Sequence, residues 1–155
     1  MSKSVNRVKA AAEAAGLATE ILRMPESTRT AEEAAAACGC EVGQIVKSLI
    51  FKGAESGELK LLLVSGCNQV DLAKAAAAAG EPLERADPKE VREITGFAIG
   101  GVAPIGHLVP VATWMDEDLL GYGKVWAAAG APNAVFETGP AALRDAAGAT
   151  VARLS

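Results

Sequence analysis

Two apolar runs, Ile45–Lys52 and Leu59–Ser65, stand either side of Gly53-Ala-Glu-Ser-Gly57. Runs of that length, rich in Ile, Leu, Val and Phe and split by a glycine-bounded polar segment, predict a β-hairpin. Within the first strand, Ile45, Lys47, Leu49 and Phe51 project from one face, and Val46, Ser48 and Ile50 from the other.

Helices are signalled around this hairpin. Ser4–Ala15 has a helical pattern with Gly16 as its stop. Thr30-Ala-Glu-Glu33 is a capping box opening an Ala-rich helix that ends near Cys38-Gly39. Val70–Ala79 closes at Gly80, and Asp87-Pro88-Lys89-Glu90 starts a helix that Gly96 ends. Pro140–Ala147 is the last helix. Further strands are predicted at Thr19–Met24, Leu108–Thr113, Val125–Ala128, Ala134–Glu137 and Thr150–Arg153. Hairpins mixed with helical crossovers favour an α/β (α+β) fold over a regular doubly wound one. The expected architecture is a mixed, mainly antiparallel sheet, or a partly closed barrel, surrounded by helices.

No repeat or low-complexity linker divides the chain, so its 155 residues are read as a single domain, 1–155. Half of the residues are hydrophobic but only 4% are aromatic, so Ala, Val, Leu and Ile must build the core. A net charge of −4 argues against a protein that coats a long stretch of nucleic acid, and so against a general DNA-binding protein. It leaves room for one that grips a short single-stranded end. The N-terminus lacks the apolar segment of a secretory signal, and Ala34–Ala37 and Ala75–Ala79 are too short to span a bilayer. Cys38, Cys40 and Cys67 form no disulfide framework, so a cytoplasmic location without membrane contact is expected.

Two segments could carry chemistry. Lys47 places an ammonium among Ile, Leu and Phe, where it must reach solvent, find a partner or serve a ligand. Gly100-Gly-Val-Ala-Pro104-Ile-Gly106-His107 combines three glycines and a proline, a backbone that can approach a ligand closely while held rigid. Such a loop can offer N–H and C=O groups to a carbonyl, amine or hydroxyl. The bland readings are a snorkelling edge-strand lysine and a tight connection between helix and strand.

Together, Gly43-Gln-Ile-Val-Lys-Ser-Leu-Ile-Phe51 and Thr95-Gly-Phe-Ala-Ile-Gly-Gly-Val-Ala-Pro-Ile-Gly106 resemble the YbaK family, the prolyl-tRNA synthetase-associated editing domain. Weaker similarity runs from Thr28-Arg-Thr-Ala-Glu-Glu33 to Gly148-Ala-Thr-Val151. The resemblance implies a trans-editing aminoacyl-tRNA deacylase that hydrolyses the ester of mischarged tRNA, tRNA-Pro with a small non-cognate amino acid being the expected substrate. It implies an aminoacyl-tRNA acceptor end as partner, prolyl-tRNA synthetase as a candidate second partner, and no metal or other cofactor. Lys47 falls on the family's lysine and is expected to act in catalysis. Gly100 and Pro104 fall on its Gly-x-x-x-P loop, so Gly100, Gly101, Val102, Ala103, Pro104, Gly106 and His107 are expected at the substrate. Asp116 lies where relatives carry an Asp, and Gly130 matches a glycine bordering the pocket.

An aminoacyl ester is already activated, so positioning and charge stabilisation can suffice without a triad. An unperturbed lysine amine is protonated at neutral pH, which suits an electrostatic clamp better than a base. One departure bears on specificity: branches that remove cysteine place a Ser near Ala128, whereas this chain has Ala127-Ala-Ala-Gly130.

Several residues have competing readings. His107, the sole histidine, could join Cys38 and Cys40 at a metal, but the spacing fits no standard finger; its bland role is an exposed loop residue. Cys67 could be a nucleophile paired with His107, but no nucleophile elbow surrounds it. Trp114 and Trp126 could stack on a base, with core packing the simpler reading. Asp116-Glu-Asp118 could simply cap a short helix. A binding module that holds an aminoacyl or nucleotide end without turnover is the alternative function.

Overall fold

The computed structural model describes residues 2–17, 19–25, 28 and 30–155. Arg29, in the run Thr28–Glu33, and Met1 lie outside the described residues. In chain order the elements are α1 (Lys3–Ala14), β1 (Ile21–Arg23), α2 (Ala31–Cys38), β2 (Ile45–Gly53), β3 (Leu59–Ser65), α3 (Leu72–Ala79) and β4 (Leu83–Arg85). Then come α4 (Pro88–Thr95), β5 (Ala112–Asp116), β6 (Val125–Ala128), β7 (Ala134–Thr138), α5 (Pro140–Ala147) and β8 (Thr150–Ala152).

Among the described residues, eight strands form one mixed sheet in the order β1-β7-β6-β2-β3-β5-β8, with β4 also paired to β2. β2 and β3 form the expected antiparallel hairpin, from Val46 opposite Ser65 to Lys52 opposite Leu59. The carboxylate of Glu81 accepts from the amides of Glu55 and Ser56 in its turn and lies 3.4 Å from the buried Lys60 ammonium. Lys60 also sits 3.9 Å from the Glu58 carboxylate and 5.6 Å from the Trp114 ring centre, so its desolvated charge has three partners.

Every residue of β3 is buried, because helices cover both faces. Val46, Leu61 and Leu63 pack with Val5 and Val8 of α1, Val91 of α4 and Leu143 of α5. On the opposite face Leu62 and Val64 meet Ala75 of α3, and Ile45 meets Ala34 and Ala35 of α2. The alternation read from the sequence of β2 is thus the observed one.

The helix signals map onto real caps. Thr30 and Glu33 form the reciprocal capping box, and Asp71 and Asp87 cap α3 and α4. Two strand assignments need correction. Leu108–Thr113 was the expected strand, but pairing starts at Ala112, where β5 runs parallel to β3. Leu108 and Val109 are exposed, and Pro110 has no N–H for a ladder. β4 carried no sequence signal; three residues become a strand only by pairing with the end of β2.

Candidate active site

The centre of the site is a break in pairing. On the side of β2 away from β3, β6 pairs with Ile45 and Val46, and β4 pairs with Phe51, Lys52 and Gly53. Residues 47–50 therefore have a strand neighbour on the β3 side alone. A cavity of about 420 Å³ occupies this gap. Its walls include residues 45–51 of β2, Thr30, Ala31 and Ala34 of α2, Trp126, Ala127 and Ala128 of β6, and Val135 of β7. Ile99, Gly100 and Val102 bring the glycine-rich loop to the same space. That volume suits a small-molecule-sized group.

The loop is held from behind. Gly101 N–H donates to the Ala98 carbonyl at 2.9 Å, closing a turn in which Gly100 has φ +96°. Arg7 of α1 donates to the carbonyls of Gly96 (2.8 Å) and Gly106 (3.3 Å), and its guanidinium lies 5.2 Å from the Phe97 ring centre. A Cβ on Gly106 would come within 3.0 Å of the Val8 Cα, so the glycine permits the loop to lie on α1. His107 Nε2 contacts the Ala103 carbonyl at 2.7 Å, and its ring meets Phe97 edge-on at 5.1 Å. A carbonyl only accepts, so Nε2 carries the proton and the buried Nδ1, which has no partner among the described residues, is the bare nitrogen. Burial pushes the imidazole pKa below its ordinary value.

The loop residues expected at the substrate therefore divide. Gly100 and Val102 line the cavity with Lys47. Gly101, Ala103, Pro104, Gly106 and His107 do not: the first four brace the turn or pack into the core, and His107 ties the loop to itself. His107 is half-buried, not the exposed loop residue of the bland reading. Gly130 is also outside the lining; Ser4 Oγ donates to its carbonyl at 2.8 Å, so it docks the β6–β7 turn on α1.

Lys47 contributes to the cavity wall, but its ammonium donates to the Asn68 main-chain carbonyl beyond the end of β3. The Asn68 amide nitrogen in turn donates to Asp116 at 2.9 Å and to Asp118 at 2.8 Å. Asp116 is fully buried and also caps the 3₁₀ turn Glu117–Gly121. It thus stands behind Lys47, with Asn68 between them, and is not a wall residue.

Sequence reasoning missed the most unusual group in the cavity. Ser48 Oγ is buried and has no hydrogen-bond partner among the described residues. No motif announces it, because its isolation arises from where β6 and β4 stop. Trp126 lines the cavity, whereas Trp114 packs beneath Lys60. Ala128, the position of the noted Ser-to-Ala departure, is on the wall. Cys67 is exposed, 3.4 Å from Ser65 Oγ, and not part of the lining.

This geometry agrees with comparison to known proteins: residues 25–146 match the aminoacyl-tRNA editing domain, and the chain belongs to that family. Among solved structures it superimposes, with TM-score 0.93 and 54% identity over 100% of this chain and 98% of the other, on a provisionally named trans-editing enzyme for prolyl-tRNA synthetase. It is 31% identical to the uncharacterised protein YwhH of Bacillus subtilis, over 81% of this chain and 80% of that one. It is 30% identical, over 76% and 72% of the two chains, to EbsC of Enterococcus faecalis, provisionally named a Cys-tRNA(Pro)/Cys-tRNA(Cys) deacylase.

Proposed function

We propose that this protein is a trans-acting deacylase that hydrolyses the ester joining a small non-cognate amino acid to tRNA, with tRNA-Pro as substrate. One observation carries the reading: Lys47, Gly100 and Val102 border the same cavity, at an open sheet edge. The cavity takes the aminoacyl group and adjoining ribose, while the tRNA body stays outside, in keeping with a net charge of −4. Water attacks the ester carbonyl; the bond from that carbon to the ribose oxygen breaks, and the oxygen takes up a proton. Free amino acid and intact tRNA leave. Lys47, swung from Asn68 toward the ligand, supplies positive charge, and the loop backbone orients the acyl group. No protein nucleophile is required. The reaction belongs in the cytoplasm, where tRNA is charged, and prolyl-tRNA synthetase is the partner that releases the substrate.

The test is deacylation of tRNA-Pro charged in turn with proline, alanine, serine and cysteine. Hydrolysis of a non-cognate ester is expected, with Lys47→Ala lowering kcat/KM by about 100-fold in a folded protein. Binding without turnover would favour the binding-module reading, and wild-type rates in Lys47→Ala would remove the lysine from the mechanism.

A further inference from the structure

The gap in β2 has a polarity that assigns it a ligand. The Gly53 N–H donates to the Glu58 carbonyl, and the Ile45 carbonyl accepts from Gly66. Both bonds point to the β3 side. Backbone groups alternate sides along a strand, so the N–H and C=O of Lys47 and Leu49 also face β3, and those of Ser48 face the opposite way. There, β6 ends its pairing at Val46 and β4 begins at Phe51. Ser48 thus turns a main-chain donor and acceptor into the cavity, with the unpartnered buried Oγ on the same residue.

An antiparallel pair of residues in register exchanges two bonds, each N–H going to the other's C=O. A single α-aminoacyl group has the parts to complete that exchange: an amine on one side of its Cα and a carbonyl on the other. Resting on the deacylase reading above, we propose that the aminoacyl ester docks on Ser48 as a one-residue β-bridge. Its carbonyl oxygen accepts from Ser48 N–H, and its α-ammonium donates to the Ser48 carbonyl, with Ser48 Oγ as a second acceptor. The substrate class is therefore α-aminoacyl esters with a free amine, recognised through atoms common to every amino acid. Side-chain selection falls to the surrounding apolar wall. The same N–H lies where negative charge develops on the carbonyl oxygen as water adds.

Titration of ¹⁵N-labelled protein with 3′-(L-alanylamino)-3′-deoxyadenosine, a non-hydrolysable amide, tests this. The Ser48 amide proton is expected to shift downfield and to exchange with solvent at least about tenfold more slowly at saturation. Exchange at Lys47 and Leu49, bonded to β3, should stay as it is. Saturation with an unchanged Ser48 amide, or no binding at millimolar probe, overturns the bridge. Neither result touches the deacylase reading, which falls only if every charged tRNA survives. In kinetics, Ser48→Pro removes an N–H that the ladder does not use and is expected to lower kcat/KM about 100-fold, whereas Ser48→Ala, which keeps both backbone groups, costs less than about tenfold. Equal losses would place the contact in the hydroxyl and reject the bridge; if Ser48→Pro does not fold, the amide measurement decides.

Discussion

Gly130 holds φ at +94°, and a Cβ there would lie 2.9 Å from the Ser4 carbonyl oxygen and 3.2 Å from the Phe97 ring. Left-handed backbone and a clash against main chain combine, so Gly130→Ala is expected to lower unfolding free energy by about 2 kcal/mol or more. Urea denaturation measures the loss; activity per folded molecule should persist, whereas a direct substrate contact would lose activity at unchanged stability. Asp116 acts at one remove in a similar way. Asp116→Ala leaves the Asn68 amide one carboxylate, uncaps the following turn, and should cost about 1–3 kcal/mol. Any fall in kcat/KM then passes through Lys47, so Asp116→Ala added to Lys47→Ala should cause little further loss of activity. A fully additive loss would show that Asp116 reaches the substrate independently.

At the scale of elements, α2 is both a helix and a cavity wall. Thr30→Ala breaks its capping box and should cost about 1 kcal/mol, read by urea denaturation. Because Thr30, Ala31 and Ala34 line the cavity, KM should rise as the first turn frays. Unchanged KM with the same stability loss would mean that the first turn does not shape the ligand's space. The features that were legible in the sequence are local ones of this kind: caps at Thr30 and Asp87, the β2–β3 hairpin, and the two faces of β2. The features that were not legible depend on distant partners. β4 exists because Lys52 lies opposite Glu84, and β5 starts late because parallel pairing with β3 begins at Lys60. Lys47, Gly100 and Val102 could be named from motifs, but Ser48 could not. Its exposure to the cavity is set by the ends of two strands that stand far from it in sequence.

Across the whole molecule, two ionisable groups away from the cavity tie the fold to pH. Burial holds the His107 pKa below its ordinary 6.5, and its hydrogen bond to Ala103 uses Nε2, leaving Nδ1 without a partner among the described residues for a second proton. Glu81 is held down to about 2, first by the Ser56 amide and side chain, then by the Glu55 amide and by Lys60. In both cases the folded state binds a proton less readily than the unfolded chain, so acid favours unfolding. The windows differ. His107 contributes full stability above its unfolded value of about 6.5, and the contribution fades as pH falls from there toward the lower folded value. Glu81 contributes above its ordinary value of 4.5 and loses that contribution on the way down to about 2. Urea unfolding followed downward from pH 8 should therefore show stability starting to decline below about pH 6.5 and declining further below 4.5. His107→Gln should flatten the decline that begins below about pH 6.5 and leave the lower one; Glu81→Gln should weaken the lower decline and leave the upper. If His107→Gln retained the upper decline, the buried imidazole would not be its source, and the brace from α1 through Phe97 to the glycine-rich loop would be insensitive to that proton.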